Sequence, residues 1–104
     1  MVRMRISSVE VIGRRSVVRV HGEVDLATAP ELAQTLLRLL ADGTELIELD
    51  LQGVTFMSCR GIAVVVAATQ LAALRGQHVR VVQPSEATRV VFTLGGVERL
   101  LERV

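Results

Sequence analysis

The residues best suited to chemistry lie in one short stretch, Ser58-Cys59-Arg60-Gly61, where an apolar strand gives way to a long apolar helix. Ser58 is placed to cap that helix, because its hydroxyl can accept a hydrogen bond from an otherwise unpaired backbone amide. The N-terminus of a helix carries roughly half a unit of positive charge, so it favours a phosphate, a carboxylate or a thiolate. The stretch is therefore a candidate switch or docking point; alternatively, Ser58 only caps and Cys59 only packs.

The sequence lacks the motifs that common catalytic sites require. It has no Gly-x-Ser-x-Gly elbow, no glycine-rich phosphate loop, and no paired carboxylates with a clear shared site. His21 and His78 do not stand at metal-ligand spacing from Cys59, so a zinc site is not expected. We therefore predict a binding protein with no enzymatic activity, no metal and no cofactor.

Composition narrows the class of protein further. A chain of 104 residues with 50% hydrophobic content predicts a single domain over residues 1–104, large enough to bury a core. The longest strongly apolar run, Ile62 to Ala68, is too short to span a bilayer, and the N-terminus lacks the apolar core of a signal peptide. A single cysteine allows no internal disulfide, which agrees with a reducing compartment. We expect a cytoplasmic protein without membrane contact.

Charge argues against a nucleic-acid partner. The net charge is +1, the arginines are spread along the chain, and there is no lysine, tryptophan or tyrosine. Binding to DNA or RNA depends on a basic patch and, for single strands, on stacking aromatic side chains. The sequence shows neither a basic patch nor stacking aromatic residues, so we do not expect a nucleic-acid partner.

The first two strands are predicted to form a hairpin. Residues 3–12 alternate as a strand whose phase slips at Ser7-Ser8, which indicates a bulge. Residues 13–15 form a turn, and Val17 to His21 is the second strand.

A capped helix follows the hairpin. Thr28 and Glu31 form a predicted capping box, and Gly43 ends the helix. The core stripe at helical spacing comprises Leu32, Ala33, Leu36, Leu39 and Leu40. Asp25 lies in the loop just before the cap, where it is expected to act as a turn residue that bonds nearby backbone.

The central strand, Leu46 to Leu51, is predicted to end at a turn around Gly53, after which Phe56 and Met57 pack. The next segment, Ile62 to Leu74, is predicted to be a helix because of its length and its alanine-rich second half. This helix is apolar nearly all round, so it must be covered on more than one side, by core packing alone or also by a partner.

A short strand, Val79 to Val82, and a third helix capped by Ser85 complete the pattern. Gly95 and Gly96 end that helix. Its inner face is expected to carry Ala87, Val90, Val91 and Leu94. The last eight residues, from Val97, fit either a short edge strand or a helical turn.

The element order β, β, α, β, α, β, α predicts an α/β fold. Its mixed sheet has four to five strands, with the first strand paired by the hairpin and the later strands parallel. Three to four helices pack against that sheet.

Two stretches resemble the STAS domain, and specifically the bacterial anti-sigma factor antagonists. The first is residues 18–26, Val-Arg-Val-His-Gly-Glu-Val-Asp-Leu, followed by the capped helix. The second is residues 49–57, Leu-Asp-Leu-Gln-Gly-Val-Thr-Phe-Met, followed by three variable residues, Gly61 and an apolar helix. The resemblance spans about residues 5–100 and implies a STAS-type sandwich.

In that family, the unphosphorylated antagonist binds an anti-sigma factor that is also an ATP-dependent serine kinase, and so frees a sigma factor. Phosphorylation of a serine or threonine at the start of the second helix breaks the complex. The resemblance implies such a partner here and leaves a homodimer open. The partner-facing surface it implies comprises Asp25, Ser58, Cys59, Arg60, Gly61 and Ile62.

The sequence departs from the family at the phosphate-accepting position. Family members usually carry Asp, Ser, Ser or Thr, and Gly after the Phe-Met pair, where this chain has Ser58, Cys59, Arg60 and Gly61. The acceptor position thus falls on Cys59, which has no hydroxyl. Three hypotheses follow. In the first, Ser58 takes the phosphate one residue early. In the second, the chain is a non-phosphorylatable antagonist that is either constitutive or governed by its partner's state, and in the third, Cys59 is under redox control.

A STAS module can also serve in another setting. The alternative function is a binding or scaffold subunit of a transporter or of a sensory complex.

Overall fold

The computed structural model describes residues 2–101 as a four-stranded sheet with three α-helices. The elements are β1 (Arg5–Ile12), β2 (Arg15–Val24), α1 (Ala29–Ala41), β3 (Leu46–Met57), α2 (Cys59–Leu74), β4 (His78–Val82), α3 (Glu86–Leu94) and a 3₁₀ helix (Glu98–Leu100). The strands lie in the order β1-β2-β3-β4, with β1 antiparallel to β2 and the other pairs parallel. The predicted α/β fold and mixed sheet are confirmed.

The β1–β2 hairpin carries the predicted bulge. The pairing register shifts between Ile6 and Ser8, close to the predicted slip in phase. Strand β2 is longer than the predicted span of 17–21, because β3 pairs along its other edge as far as Val24. This added length brings the end of β2 to the level of Met57, the last residue of β3.

Strand β3 continues to Met57, so the turn predicted at Gly53 is wrong. Gly53 pairs with His21, and a Cβ atom at Gly53 would lie 2.5 Å from the His21 Cβ. The glycine therefore permits a close approach of two strands. Met57 is buried as predicted, whereas Phe56 is 47% exposed. The predicted packing of Phe56 is wrong because neighbouring residues of a strand face opposite sides of the sheet.

Helix α1 begins without the predicted capping box. The Thr28 hydroxyl makes no cap bond. Its oxygen accepts from the Asp25 amide (2.9 Å), and its proton is directed to Asp25 Oδ1 (3.0 Å), with the Glu23 carbonyl as a second, longer acceptor (3.3 Å). The Thr28 backbone has a φ of −100° and a ψ of −20°, which are close to helical values. A residue whose side chain caps a helix usually has an extended backbone instead. The predicted end is confirmed, because Gly43 follows the helix with a φ of +87°.

One hydrophobic core joins the helices to the sheet. Among its fully buried members are Val18, Leu36, Ile47, Leu49, Leu51 and Val65. Four of the five predicted stripe residues of α1 are buried, and Ala33 is half-buried. The core therefore fixes how α1 and α2 lie beside each other.

The predicted inner face of helix α3 is only partly confirmed: Ala87 and Val91 are half-buried, and Val91 packs against the core. Ser85 caps the helix as predicted, since its Oγ accepts a 3.1 Å hydrogen bond from the Thr88 amide. Thr88 and Phe92 are fully buried. Val90 and Leu94 are 47% and 82% exposed, so their predicted inward positions are wrong. The large apolar ring of Phe92 decides the rotation, because it occupies the core.

The C-terminal region was predicted as either a strand or a helical turn. After the 3₁₀ helix, Leu101 forms an isolated parallel bridge with Val81 of β4. A helical turn and a single strand-like pair therefore both occur. Residues 102–104 of the predicted segment lie outside the described residues.

Candidate functional site

Ser58 connects β3 to α2 as the predicted N-cap. Its backbone is extended (φ −77°, ψ 166°), and its Oγ accepts a 3.2 Å hydrogen bond from the Gly61 amide. Its carbonyl accepts from the Ile62 amide at 3.1 Å. The Ser58 hydroxyl is half-buried and engaged in the helix that it begins.

Cys59 and Arg60 form the exposed first turn of α2. The Cys59 thiol is free and exposed, as the redox hypothesis requires. Within residues 2–101, Arg60 makes no ion pair, so its guanidinium is available to a carboxylate or phosphate. A thiol and a cation are thus presented side by side at the positive end of the helix.

Gly61 and Ile62 lie beneath this exposed turn. A Cβ atom at Gly61 would clash with Met57 Sδ and lie 2.9 Å from Val24 Cγ1, so a side chain here would force these two buried side chains to shift. Ile62 itself is only 9% exposed, so it does not belong to the exposed helix start that Cys59 and Arg60 form. The helical period turns that side chain toward the core, where the two residues support the surface from below.

Asp25 is a turn residue, as predicted. Its Oδ1 accepts hydrogen bonds of 3.0 Å from the Thr28 amide, the Thr28 hydroxyl and the Ala27 amide. The pKa of Asp25 is lowered, chiefly by the hydrogen bond from the Thr28 amide and next by the one from the Thr28 hydroxyl. The Ala27 amide also lowers this pKa, whereas desolvation of the carboxylate opposes the shift. The carboxylate therefore stays ionised and holds the β2–α1 loop in shape.

The Asp25 loop and the start of α2 lie together at one edge of the sheet. Strands β2 and β3 are parallel, and Val24 pairs with Met57 at their carboxyl ends. The Ser58 amide donates a 2.8 Å hydrogen bond to the Val24 carbonyl. Asp25 directly follows Val24, and the turn 58–60 begins at Ser58, so this hydrogen bond places the two segments next to each other.

Sequence analysis missed a groove of about 510 Å³ between α1 and α2. Its lining includes Ala33 and Leu37 of α1, and Arg60, Ala63 and Ala67 of α2. Leu37 is 49% exposed and lies outside the predicted core stripe. An alanine-rich helix face without charged residues was the signal in the sequence that could have indicated it.

The remaining surface offers little for metal chemistry. Across residues 2–101, no group of three or more His, Cys, Asp and Glu side chains gathers at metal-binding distance. His21 is exposed. In the same range, no helix combines the length and apolarity needed to cross a membrane.

Three comparisons with known proteins agree on the family. The family model described as "Mlab, STAS domain" matches residues 7–102. An anti-sigma-B factor antagonist from Staphylococcus aureus (strain NCTC 8325 / PS 47) is 27% identical over 84 residues, which cover 81% of this chain and 78% of that protein.

Solved structures share the whole architecture. An anti-sigma factor antagonist from Mycobacterium paratuberculosis has a TM-score of 0.86 at 29% identity, over 98% of this chain and 87% of that chain. The anti-sigma factor antagonist SpoIIAA in its unphosphorylated form has a TM-score of 0.81 at 19% identity, over 93% and 86%. SpoIIAA of Bacillus in its phosphorylated form has a TM-score of 0.74 at 18% identity, over 93% and 89%. The chain belongs to the STAS domain family.

Proposed function

We propose that this protein is an anti-sigma factor antagonist, which binds an anti-sigma factor of the ATP-dependent serine kinase type and so releases a sigma factor. The observation that carries the proposal is the 2.8 Å bond from the Ser58 amide to the Val24 carbonyl, which joins the Asp25 loop and the first turn of α2 into one surface. The named function of the staphylococcal and mycobacterial relatives supports it.

The proposed contact surface is small and charged. Asp25, Ser58, Cys59 and Arg60 are half-buried or exposed, and they provide one carboxylate and one guanidinium. The Arg60 guanidinium pairs with an acidic group of the partner. Gly61 and Ile62 contribute from beneath, because they set the height and direction of the turn that carries Arg60.

The partner's kinase activity does not switch this antagonist off in the usual way. Cys59 stands where the family has its acceptor hydroxyl, and a thiol is not a substrate for a serine kinase. The Ser58 hydroxyl accepts a hydrogen bond from the Gly61 amide, so it would have to leave the cap to reach the active site of a kinase. The antagonist is therefore constitutive or is governed by the state of its partner.

The protein acts by binding alone in this role. It needs no cofactor and catalyses no reaction, and it works in the cytoplasm, where sigma factors and RNA polymerase meet. Its single domain supplies the surface, and the partner supplies ATP and catalytic groups.

A binding experiment tests the proposal directly. The purified chain is titrated calorimetrically with each kinase-type anti-sigma factor encoded in the same genome. We expect one of them to bind wild type, and Cys59→Glu to bind at least about tenfold more weakly, because the new charge lies on the contact surface. Ile12→Glu is the matched control: Ile12 is 53% exposed and is the last residue of β1, where it pairs with Arg15 at the opposite end of β2 from Val24. Failure of every anti-sigma factor to bind wild type would refute the proposal.

A second assay tests whether the partner phosphorylates this chain. The identified anti-sigma factor is incubated with ATP and with wild type, Cys59→Ser or Cys59→Ser/Ser58→Ala. We expect phosphate on both variants and none on wild type, since only the variants carry a hydroxyl at position 59. Phosphate on wild-type Ser58 would contradict the non-phosphorylatable mechanism while leaving the antagonist function intact.

A further inference from the structure

The groove between α1 and α2 is lined mainly by apolar side chains, whereas an exposed helix face normally carries polar ones. Helix α2 has 16 residues, and Arg60 is its single charged residue. Ala63 and Ala67 are exposed, although such positions usually carry charged or polar side chains. An apolar, solvent-exposed face of this kind is typical of an interaction surface.

The shape of the groove suits an inserted apolar side chain. Small residues, Ala33, Ala63 and Ala67, leave open space between the helices, and the larger Leu37 and Leu71 flank it. The groove is partly open to solvent, whereas small-molecule sites usually enclose most of their ligand. A macromolecule that covers the groove therefore fits better than a free small ligand.

Charge identifies the kind of partner surface. Arg60 lines the groove and belongs to the first turn of α2, so it marks the end next to Ser58. Within residues 2–101 it has no ion pair, and the other lining residues are uncharged. The complementary surface is an apolar side chain with a carboxylate beside it, as on one face of an amphipathic helix.

We propose that the α1–α2 groove receives an apolar side chain from a helix of the anti-sigma factor, while an acidic residue of that helix pairs with Arg60. This inference rests on the proposed function and extends its contact surface from the Cys59–Arg60 turn along α2 to Leu71. The two surfaces are continuous, because Arg60 belongs to both.

Variants inside and outside the groove test the inference with the anti-sigma factor that binds wild type. We expect Leu37→Asp and Ala67→Glu each to lower the affinity at least about tenfold, because each places a charge where an apolar side chain must be buried. Both positions are exposed, so the variants should fold, which circular dichroism verifies. Ile12→Asp, on a similarly exposed apolar residue outside the groove, should bind as wild type does.

Arg60→Gln tests the charge. We expect weaker binding whose dependence on salt concentration is flatter than that of wild type, because one ion pair is missing.

The outcomes separate the two proposals. If Cys59→Glu loses binding while Leu37→Asp and Ala67→Glu keep it, the groove is not part of the interface and only the further inference fails. If no anti-sigma factor binds wild type, both proposals fail. Tight binding of palmitate by the isolated wild-type chain, abolished in Leu37→Asp, would assign the groove to an acyl chain and also overturn the inference.

Discussion

The backbone amide of Ser58 donates a 2.8 Å hydrogen bond to the carbonyl oxygen of Val24. This bond joins the residue after β3 to the last residue of β2, directly before Asp25. It therefore couples the loop that Asp25 shapes to the helix start that Ser58 caps.

Removal of the Ser58 hydroxyl should destabilise the protein by about 1 kcal/mol, the usual contribution of an N-cap. Ser58→Ala leaves the Gly61 amide without its cap acceptor, whereas Ser58→Asp supplies a carboxylate that caps equally well. Urea unfolding monitored by circular dichroism measures the free energies of unfolding. Ser85→Ala, which removes the corresponding cap of α3, serves for comparison. An equal loss in Ser58→Asp and Ser58→Ala would mean that the cap is not the cause.

A methyl group at position 61 should cost about 1–3 kcal/mol of stability, as overpacking of a core does. In Gly61→Ala the new Cβ meets Met57 Sδ and lies 2.9 Å from Val24 Cγ1, and both side chains are buried. The free energy of unfolding in urea gives the magnitude. Cys59→Ala, two residues earlier and exposed, should change it by less than about 0.5 kcal/mol. A fully stable Gly61→Ala would show that the β3–α2 junction yields easily.

The stabilising effect of Asp25 should disappear in acid. Hydrogen bonds from Thr28 and Ala27 lower its pKa in the folded state, so the ionised carboxylate stabilises the fold above the unfolded-state pKa of about 3.9. That contribution is lost as the pH falls through the lower, folded-state pKa. Wild type should therefore exceed Asp25→Asn in stability at pH 7, and the difference should shrink toward pH 2.

Unfolding in urea across this pH range measures the effect of Asp25. Thr28→Val, which keeps the shape of the side chain but removes the hydroxyl donor, should reduce the pH-dependent part. A difference between wild type and Asp25→Asn that stays constant with pH would contradict the role assigned to the ionised carboxylate.

Local signals predicted the elements and part of the site. The caps at Ser58 and Ser85, the bulge near Ser7 and the turn role of Asp25 depend on hydrogen bonds within a few residues or between adjacent strands. Such bonds follow from residue type and spacing. The capping box at Thr28 does not form although it is also local, because the Thr28 amide, which Glu31 would accept from, donates to Asp25 Oδ1 instead.

The errors concern which way a residue faces. Phe56, Val90 and Leu94 are exposed although the pattern predicts that they pack inward, and Gly53 lies within β3 although the pattern predicts a turn there. The helices and strands themselves lie where the pattern predicts them, except that β3 continues through Gly53 to Met57. The rotation of a helix and the continuation of a strand depend on the neighbouring element, which periodicity alone does not specify.

The amino-acid sequence by itself determined the order of elements, the hairpin, the capped start of α2 and the substitution of Cys59 for a hydroxyl residue. Only the tertiary structure decided that Ile62 is buried, that Asp25 and Arg60 extend from one backbone junction, and that α1 and α2 leave an apolar groove between them. The physical reason is the separation along the chain of the residues that interact. Caps and turns form among residues close in the chain, whereas burial and grooves arise when segments distant in sequence pack against each other.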